Sequence, residues 1–236
     1  MKDIKHNGKA VAKNNSKAVE KNNSKAVVFD MDGVLFDTER VYYEAWDITA
    51  EEMGIEITEI RDRCAGHNAA DIATLFDAWF GGKATYADFG PRKNAHFRRL
   101  LDENGLPLKE GLHETLSALK ENGFRIALAT STRREGALSN LERAKIREYF
   151  DVLTTGDMFV HGKPDPEIYL TACRLLEVDP ASAYGVEDSY AGLESARRAG
   201  MQVVMIPDLF PPTDEIRSYA SIYSTLTDFC KAVLKK

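Results

Sequence analysis

The pattern that most limits the folds open to this chain is an alternation of short apolar runs with stretches of helical spacing. Lys25–Phe29, Arg125–Ala129, Asp151–Thr155, Ala183–Val186 and Gln202–Ile206 are four or five residues each and largely apolar, with a β-branched side chain in every one and polar residues confined to their ends. Runs of that length are too short for helices, and their lack of a polar face fits strands covered on both sides, the situation in a parallel sheet. Between them, Leu112, Leu116 and Leu119 recur at i, i+4 and i+7, with Gly123 where the helix should stop. Ile168, Tyr169, Ala172, Leu175 and Leu176 repeat that stripe, with Asp165 expected as N-cap and Pro166 as first helical residue. Strand, helix, strand in this rhythm predicts parallel pairing through right-handed crossovers, hence an α/β, doubly wound (Rossmann-like) sheet.

The first connection is far longer than a crossover requires. About 95 residues separate Phe29 from Arg125, whereas a strand-helix-strand unit needs only about 30. The intervening sequence carries helical patterns at Val41–Met53, Ala69–Phe80 and Pro91–Asn104 and no convincing strand. It is expected to be an inserted helical cap domain over residues 38–105, with the core domain formed by residues 25–37 and 106–236. An insert after the first strand lies above the carboxyl edge of the sheet, where open α/β folds bind ligands. Residues 1–24 are different material: an eight-residue unit, most clearly Lys13–Glu20 and Lys21–Val28, repeats there, and six Lys face one Asp and one Glu. Three copies with one apolar pair each cannot bury a core, so a flexible tail is expected.

Charge and cysteine usage narrow the function. The 236 residues carry a formal net charge of -6, and without the basic tail the rest is more acidic still, which argues against nucleic acid held by general electrostatics. Cys64, Cys173 and Cys230 are widely spaced, with no CxxC and no His at ligand spacing, and are expected to be reduced thiols. No apolar run approaches the roughly 18 residues that span a bilayer. A cytoplasmic protein with no membrane partner, a monomer or weak homodimer, is the expectation.

Chemistry concentrates at the strand ends. The first strand runs into Asp30-Met31-Asp32-Gly33, two carboxylates on one side with a glycine that lets the backbone turn close to a ligand. Asp and Gly are also ordinary turn residues, so this pair alone leaves a structural role open. Three further strand ends are polar in ways useful to phosphate chemistry: Thr130-Ser131-Thr132 offers hydroxyls and N–H groups, Lys163 stands before a helix start, and Glu187-Asp188 is a second acid pair.

In order and placement, Asp30-Met31-Asp32-Gly33, Thr130, Lys163 and Glu187-Asp188 resemble the four motifs of the haloacid dehalogenase superfamily, with the helical insert placed as in the branch that includes phosphoglycolate phosphatase and β-phosphoglucomutase. The resemblance implies a phosphatase of small phosphate esters, sugar phosphates or related phosphomonoesters, with Asp30 as nucleophile and Asp32 as acid and base. It implies Mg²⁺ held by Asp30, the Asp32 carbonyl and Asp188, with Glu187 acting through water, and Thr130 and Lys163 holding the phosphoryl group. Gly33, Ser131, Thr132 and His67 are the candidate substrate- and phosphate-binding residues. Mutases of this branch carry a cap His ten residues after the second Asp and an Arg three residues beyond a cap Gly. Here those positions are Tyr42 and Ala69, after Gly66, and both departures favour a hydrolase over a β-phosphoglucomutase-type enzyme, the alternative reading. A non-catalytic phosphometabolite-binding protein is a second alternative, although no motif position is replaced.

In the cap, Tyr43 and Trp46 are expected to pack its core and Arg61 and Arg63 to face solvent, with His67 the best specificity candidate. His6, His96, His113 and His161 have no ligand spacing and are expected at the surface.

Overall fold

The computed structural model describes residues 25–64, 67 and 69–235; the repeat of the tail and the Gly66 and Asn68 positions lie outside them. The order of elements is β1 (Ala26–Phe29), four helices α1 (Thr38–Met53), α2 (Thr58–Cys64), α3 (Ala69–Phe80) and α4 (Tyr86–Asn104), then α5 (Leu112–Glu121), β2 (Arg125–Ala129), α6 (Arg134–Arg143), β3 (Val152–Thr154), α7 (Glu167–Leu175), β4 (Ala183–Glu187), α8 (Tyr190–Arg198), β5 (Gln202–Met205), α9 (Asp214–Tyr219), β6 (Ser221–Ile222) and α10 (Leu226–Leu234). All pairs are parallel, in the order β3-β2-β1-β4-β5-β6. This is the expected doubly wound sheet. Its sixth strand was not foreseen, because Ser221–Ile222 is too short to show a pattern.

Alternation within β1 shows why the sheet is covered on both faces. Val27 and Phe29 pack with Leu112, Leu116 and Leu119 of α5 and Phe229 of α10, whereas Ala26 and Val28 pack with Ile168 and Ala172 of α7 and Leu193 and Ala196 of α8. Each such burial contributes about 1.5–3 kcal/mol for a large aliphatic or aromatic side chain. The α7 helix begins at Glu167, one residue later than expected; Pro166 is the N-cap residue, and Asp165 Oδ1 accepts the Glu167 N–H at 2.9 Å. Since Pro166 has no N–H to cap, the aspartate serves the next residue.

The four inserted helices enclose their own cluster around Trp46, Phe76 and Phe89, with ring centroids 4.8 Å apart for Trp46–Phe89 and Phe76–Phe89. Here α4 starts five residues before Pro91. Thr85 caps it by accepting the Asp88 N–H at 3.3 Å, and burial of Phe89 on this extra turn outweighs the hydrogen bond that Pro91 cannot make. The entry and exit of the insert are tied together. Asp37 N donates to Pro107 O at 2.9 Å, Lys109 N donates to Leu35 O at 3.0 Å, and Phe36 and Leu108 form an antiparallel bridge. No helix among the described residues is long and apolar enough to cross a membrane.

Candidate active site

The strand order reverses between β1 and β4, and the loops after these two strands open a crevice at the carboxyl edge. Parallel register aligns Phe29 with Leu128 and Val186, so Asp30 and Glu187 emerge side by side and Thr130 follows one residue further along its strand. From β3 the chain returns through a loop whose Lys163–Pro164 bond is cis, bringing Lys163 into the crevice. Its ammonium is 3% exposed, 2.5 Å from both Asp30 Oδ1 and Glu187 Oε1, and donates to Ala129 O at 3.1 Å.

Two buried carboxylates thus share one lysine. Burial lowers the ammonium pKa of Lys163 and the facing Asp30 and Glu187 carboxylates raise it, the raising winning. Burial pushes the Asp30 carboxyl well above the ordinary range against the pull of Lys163, and Asp188 rises through burial and the nearby Glu187 charge. Asp30, Glu187 and Asp188 each offer a carboxylate oxygen, all within 4.8 Å of one another. An all-oxygen donor set with surplus negative charge fits a hard divalent cation such as Mg²⁺. Glu187 is the least free of the three: Oε1 also accepts the Tyr169 hydroxyl at 2.7 Å, and Oε2 accepts Asp188 N–H and Ser189 Oγ, both at 3.3 Å.

Two glycines make room for these acids. A Cβ on Gly33 would sit 2.2 Å from Asp188 Oδ2, and its φ of +83° is one that other residues avoid. A Cβ on Gly192, in the first turn of α8, would lie 2.0 Å from the Glu187 carboxylate.

Asp32 is held apart from this group. Its Oδ1 accepts the Thr38 hydroxyl at 2.6 Å and its Oδ2 the Thr132 hydroxyl at 2.9 Å. Burial raises its pKa, opposed by those two donors. One carboxyl is therefore pinned by hydroxyls at the base of the insert, the other by an ammonium. Thr130 is buried, with Oγ1 accepting the Thr132 N–H at 3.1 Å, and Ser131 borders the same crevice.

Above the crevice lies a cavity of about 520 Å³ between sheet and inserted helices, reached by Asp30, Asp32, Thr130, Ser131, Thr132, Lys163 and Asp188 from below and by His67 from above. Three readings of the insert need correction. Arg61 does not face solvent: its side chain is 15% exposed, lines the cavity, stacks 4.2 Å over the Tyr43 ring and pairs with Asp47 at 2.5 Å. Tyr43 is not in the core of the insert but on the cavity wall, because its helix turns that face toward the crevice. His96 is largely covered and lies 3.0 Å from Glu52. Trp46 does pack the core, Arg63 is exposed on the Trp79 ring, and Cys64, Cys173 and Cys230 are buried free thiols.

Sequence reasoning overlooked Tyr169, Glu39 and Lys93. Tyr169 belongs to an apolar stripe, and only the fold brings its hydroxyl to Glu187. Glu39, one residue beyond Thr38, lines the cavity, and burial with the Asp32 and Asp208 charges pushes it up to about 8. Lys93 lies within α4 and is 2% exposed, its Nζ donating to Tyr42 Oη at 2.6 Å; burial pulls its ammonium down to about 7, against the charges of Cys64 and Glu39.

Residues 24–200 match the family model described as haloacid dehalogenase-like hydrolase. The chain is 39% identical over 179 residues to the phosphorylated carbohydrates phosphatase of Thermotoga maritima, covering 75% of this chain and 82% of that one. It is 32% identical over 188 residues to the β-phosphoglucomutase of Bacillus subtilis, covering 75% and 81%. Among solved structures, CbbY from Rhodobacter sphaeroides in complex with phosphate is similar with a TM-score of 0.73 and 26% identity, over 87% of this chain and 96% of that one.

Proposed function

This chain belongs to the haloacid dehalogenase-like hydrolases, and on that footing we propose that it is a Mg²⁺-dependent phosphatase of small phosphorylated carbohydrates or related phosphomonoesters. The observation that carries the proposal is the division of labour between two carboxyls: Asp30 against Lys163, Asp32 against Thr38 and Thr132.

In this reading a carboxylate oxygen of Asp30 attacks phosphorus. The bond from phosphorus to the ester oxygen breaks as Asp32 gives that oxygen its proton, leaving a free alcohol and a phosphoryl group on Asp30. Asp32, now ionised, takes a proton from water, whose oxygen attacks the same phosphorus and releases Asp30 and inorganic phosphate. A hydroxyl-bonded, desolvated carboxyl suits such alternation, because neither protonation state is locked by a fixed countercharge. Thr130, Ser131 and Lys163 hold the phosphoryl oxygens, and Gly33 leaves space for Asp188. Asp30, Asp188 and the Asp32 carbonyl would hold the metal, which when bound withdraws charge from the phosphoryl group so that two anions can meet. Glu187 orients Lys163. The inserted helices keep bulk water from the phosphorylated aspartate.

Expressed with Mg²⁺, the protein should release nitrophenol from p-nitrophenyl phosphate, and Asp30→Asn should abolish that release. Full turnover by Asp30→Asn would refute the nucleophile. Similarity to β-phosphoglucomutases favours a second reading. It requires that a sugar bisphosphate make the protein convert β-glucose 1-phosphate to glucose 6-phosphate faster than it frees phosphate; Tyr42, bonded to Lys93, stands where mutases of this branch are expected to carry His.

A further inference from the structure

Asp208 has no task in that chemistry, yet its placement is costly. It stands in the loop from β5 to α9 with its side chain 1% exposed and its Oδ2 buried without a hydrogen-bond partner among the described residues. A carboxylate taken this far out of water is tolerated where cations replace its hydration. Two do so here, Lys109 Nζ at 2.8 Å and Arg40 Nη2 at 3.2 Å from Oδ1. Both cations also face Asp37 Oδ1, at 3.6 and 3.3 Å. Asp37 is the N-cap residue of α1, where an aspartate ordinarily accepts a backbone N–H of the first turn, but its side chain makes no such bond. Its carboxylate is turned toward the cations instead.

These four charges join the insert to the core. Asp37 lies on the way into the insert, Arg40 in the first turn of α1 and Lys109 on the way out, whereas Asp208 belongs to the edge of the sheet. That edge is braced: Ile206 N donates to Glu187 O at 2.8 Å, and Tyr190 Oη donates to Pro211 O at 2.7 Å while its ring lies against Phe210, centroids 5.5 Å apart. Between Asp37 and Arg40 comes Thr38, whose hydroxyl donates to Asp32 Oδ1. Of the two hydroxyls on Asp32, that of Thr132 comes from the core and that of Thr38 from the insert, so only the second depends on how the insert is held.

We propose that Asp208 is a positioning residue for the acid step: through Lys109, Arg40 and Asp37 it fixes the first turn of α1, and with it the Thr38 hydroxyl that aims Asp32 at the leaving oxygen. This rests on the reading of Asp32 as acid and base. Lys109 completes the arrangement from the far side of the hinge, so the two residues act as one unit.

The test uses leaving groups that differ in their need for a proton. Phenolate, a base with a pKa of about 10 like the ionised Tyr side chain, leaves with a proton from the acid; p-nitrophenolate is a much weaker base and leaves without one. The quantity read is the ratio of kcat/KM for p-nitrophenyl phosphate to that for phenyl phosphate, at saturating Mg²⁺. Asp208→Asn and Lys109→Met should each raise this ratio about tenfold, a part of the roughly 10²–10⁴-fold that a positioned acid contributes. The double variant should raise it no further than either single one. A mere change of charge near the site would move the two variants in opposite directions, since one loses an anion and the other a cation; loss of the shared anchorage moves both the same way. A ratio within twofold of the parent in both variants, or shifts of opposite sign, overturns the assignment. Arg40 is 59% exposed, so Arg40→Met serves if neither of the others folds: a ratio raised more than twofold supports the assignment and one within twofold refutes it. Asp32→Asn separates the two levels of the reading. If it raises the ratio while the Asp208 and Lys109 variants do not, the role of Asp208 alone is lost; if it leaves the ratio unchanged, or the parent hydrolyses neither ester, the acid role of Asp32 or the phosphatase reading falls and takes this inference with it.

Discussion

Replacing Lys93 by Met tests the energetics of its burial without reference to activity. Met is close in volume and also unbranched, so cavity and overpacking effects are small. The side chain has an ammonium pKa of 10.5 in the unfolded chain and about 7 in the folded one. Because the folded value is the lower, the folded protein holds fewer protons between the two, and parental stability rises with pH across that interval and is level below it. At about 1.4 kcal/mol per unit the whole displacement amounts to about 5 kcal/mol. Between pH 6 and pH 9.5 the advantage of Lys93→Met over the parent should therefore shrink by about 3 kcal/mol. Loss of the hydrogen bond to the Tyr42 hydroxyl shifts both ends equally and leaves this slope intact. Urea denaturation of both proteins at half-unit intervals measures the difference, in which other titrating groups cancel. A difference constant within about 0.5 kcal/mol over that range would mean that Lys93 is paired or hydrated in the folded protein, and the argument would fail.

Three further outcomes follow from the site. Gly33→Ala places a Cβ against Asp188 Oδ2 in a backbone conformation that costs about 1–2 kcal/mol; calorimetric titration should show Mg²⁺ binding at least tenfold weaker, and parental affinity would contradict the close approach. Tyr169→Phe removes the donor at 2.7 Å from Glu187, a buried bond to a charged group worth about 1.5–3 kcal/mol. A loss below 0.5 kcal/mol on chemical denaturation would show that Glu187 does not need it. Removal of divalent ions with a chelator should stop hydrolysis of p-nitrophenyl phosphate, and adding Mg²⁺ should raise Tm in the parent but not in Asp188→Asn. An equal rise in both would move the metal away from Asp188.

The legible part of this molecule was the part encoded next to strand ends. Asp30, Thr130 and Glu187 each follow an apolar run, and once the runs are aligned in a parallel sheet their neighbours must meet at one edge. Lys163 was legible as a residue but not as a distance, since the loop that carries it from β3 to α7 has no periodic pattern. The inserted helices were harder. Lys93 and Arg61 lie on amphipathic helices, where a cation ordinarily marks the wet face; the crevice makes a second inward face that period alone does not distinguish. Tyr43 was assigned to the wrong interior for that reason. Tyr169 shows the converse, an aromatic placed correctly by its stripe whose hydroxyl finds a partner on β4.

The pairing of Phe36 with Leu108, and of Asp37 with Pro107, leaves the insert's departure and return one hydrogen bond apart. To the sheet, residues 38–105 are a loop of almost no span, so their length and sequence can change without altering how far apart the sheet must hold its strand ends. An inherited core can thus be fitted with a different lid, longer, shorter or differently charged, while Asp30 and Lys163 stay where they are. The same junction contains Thr38, which holds Asp32. Whatever lid is fitted there, the residue at its threshold must still supply a hydroxyl to the acid below.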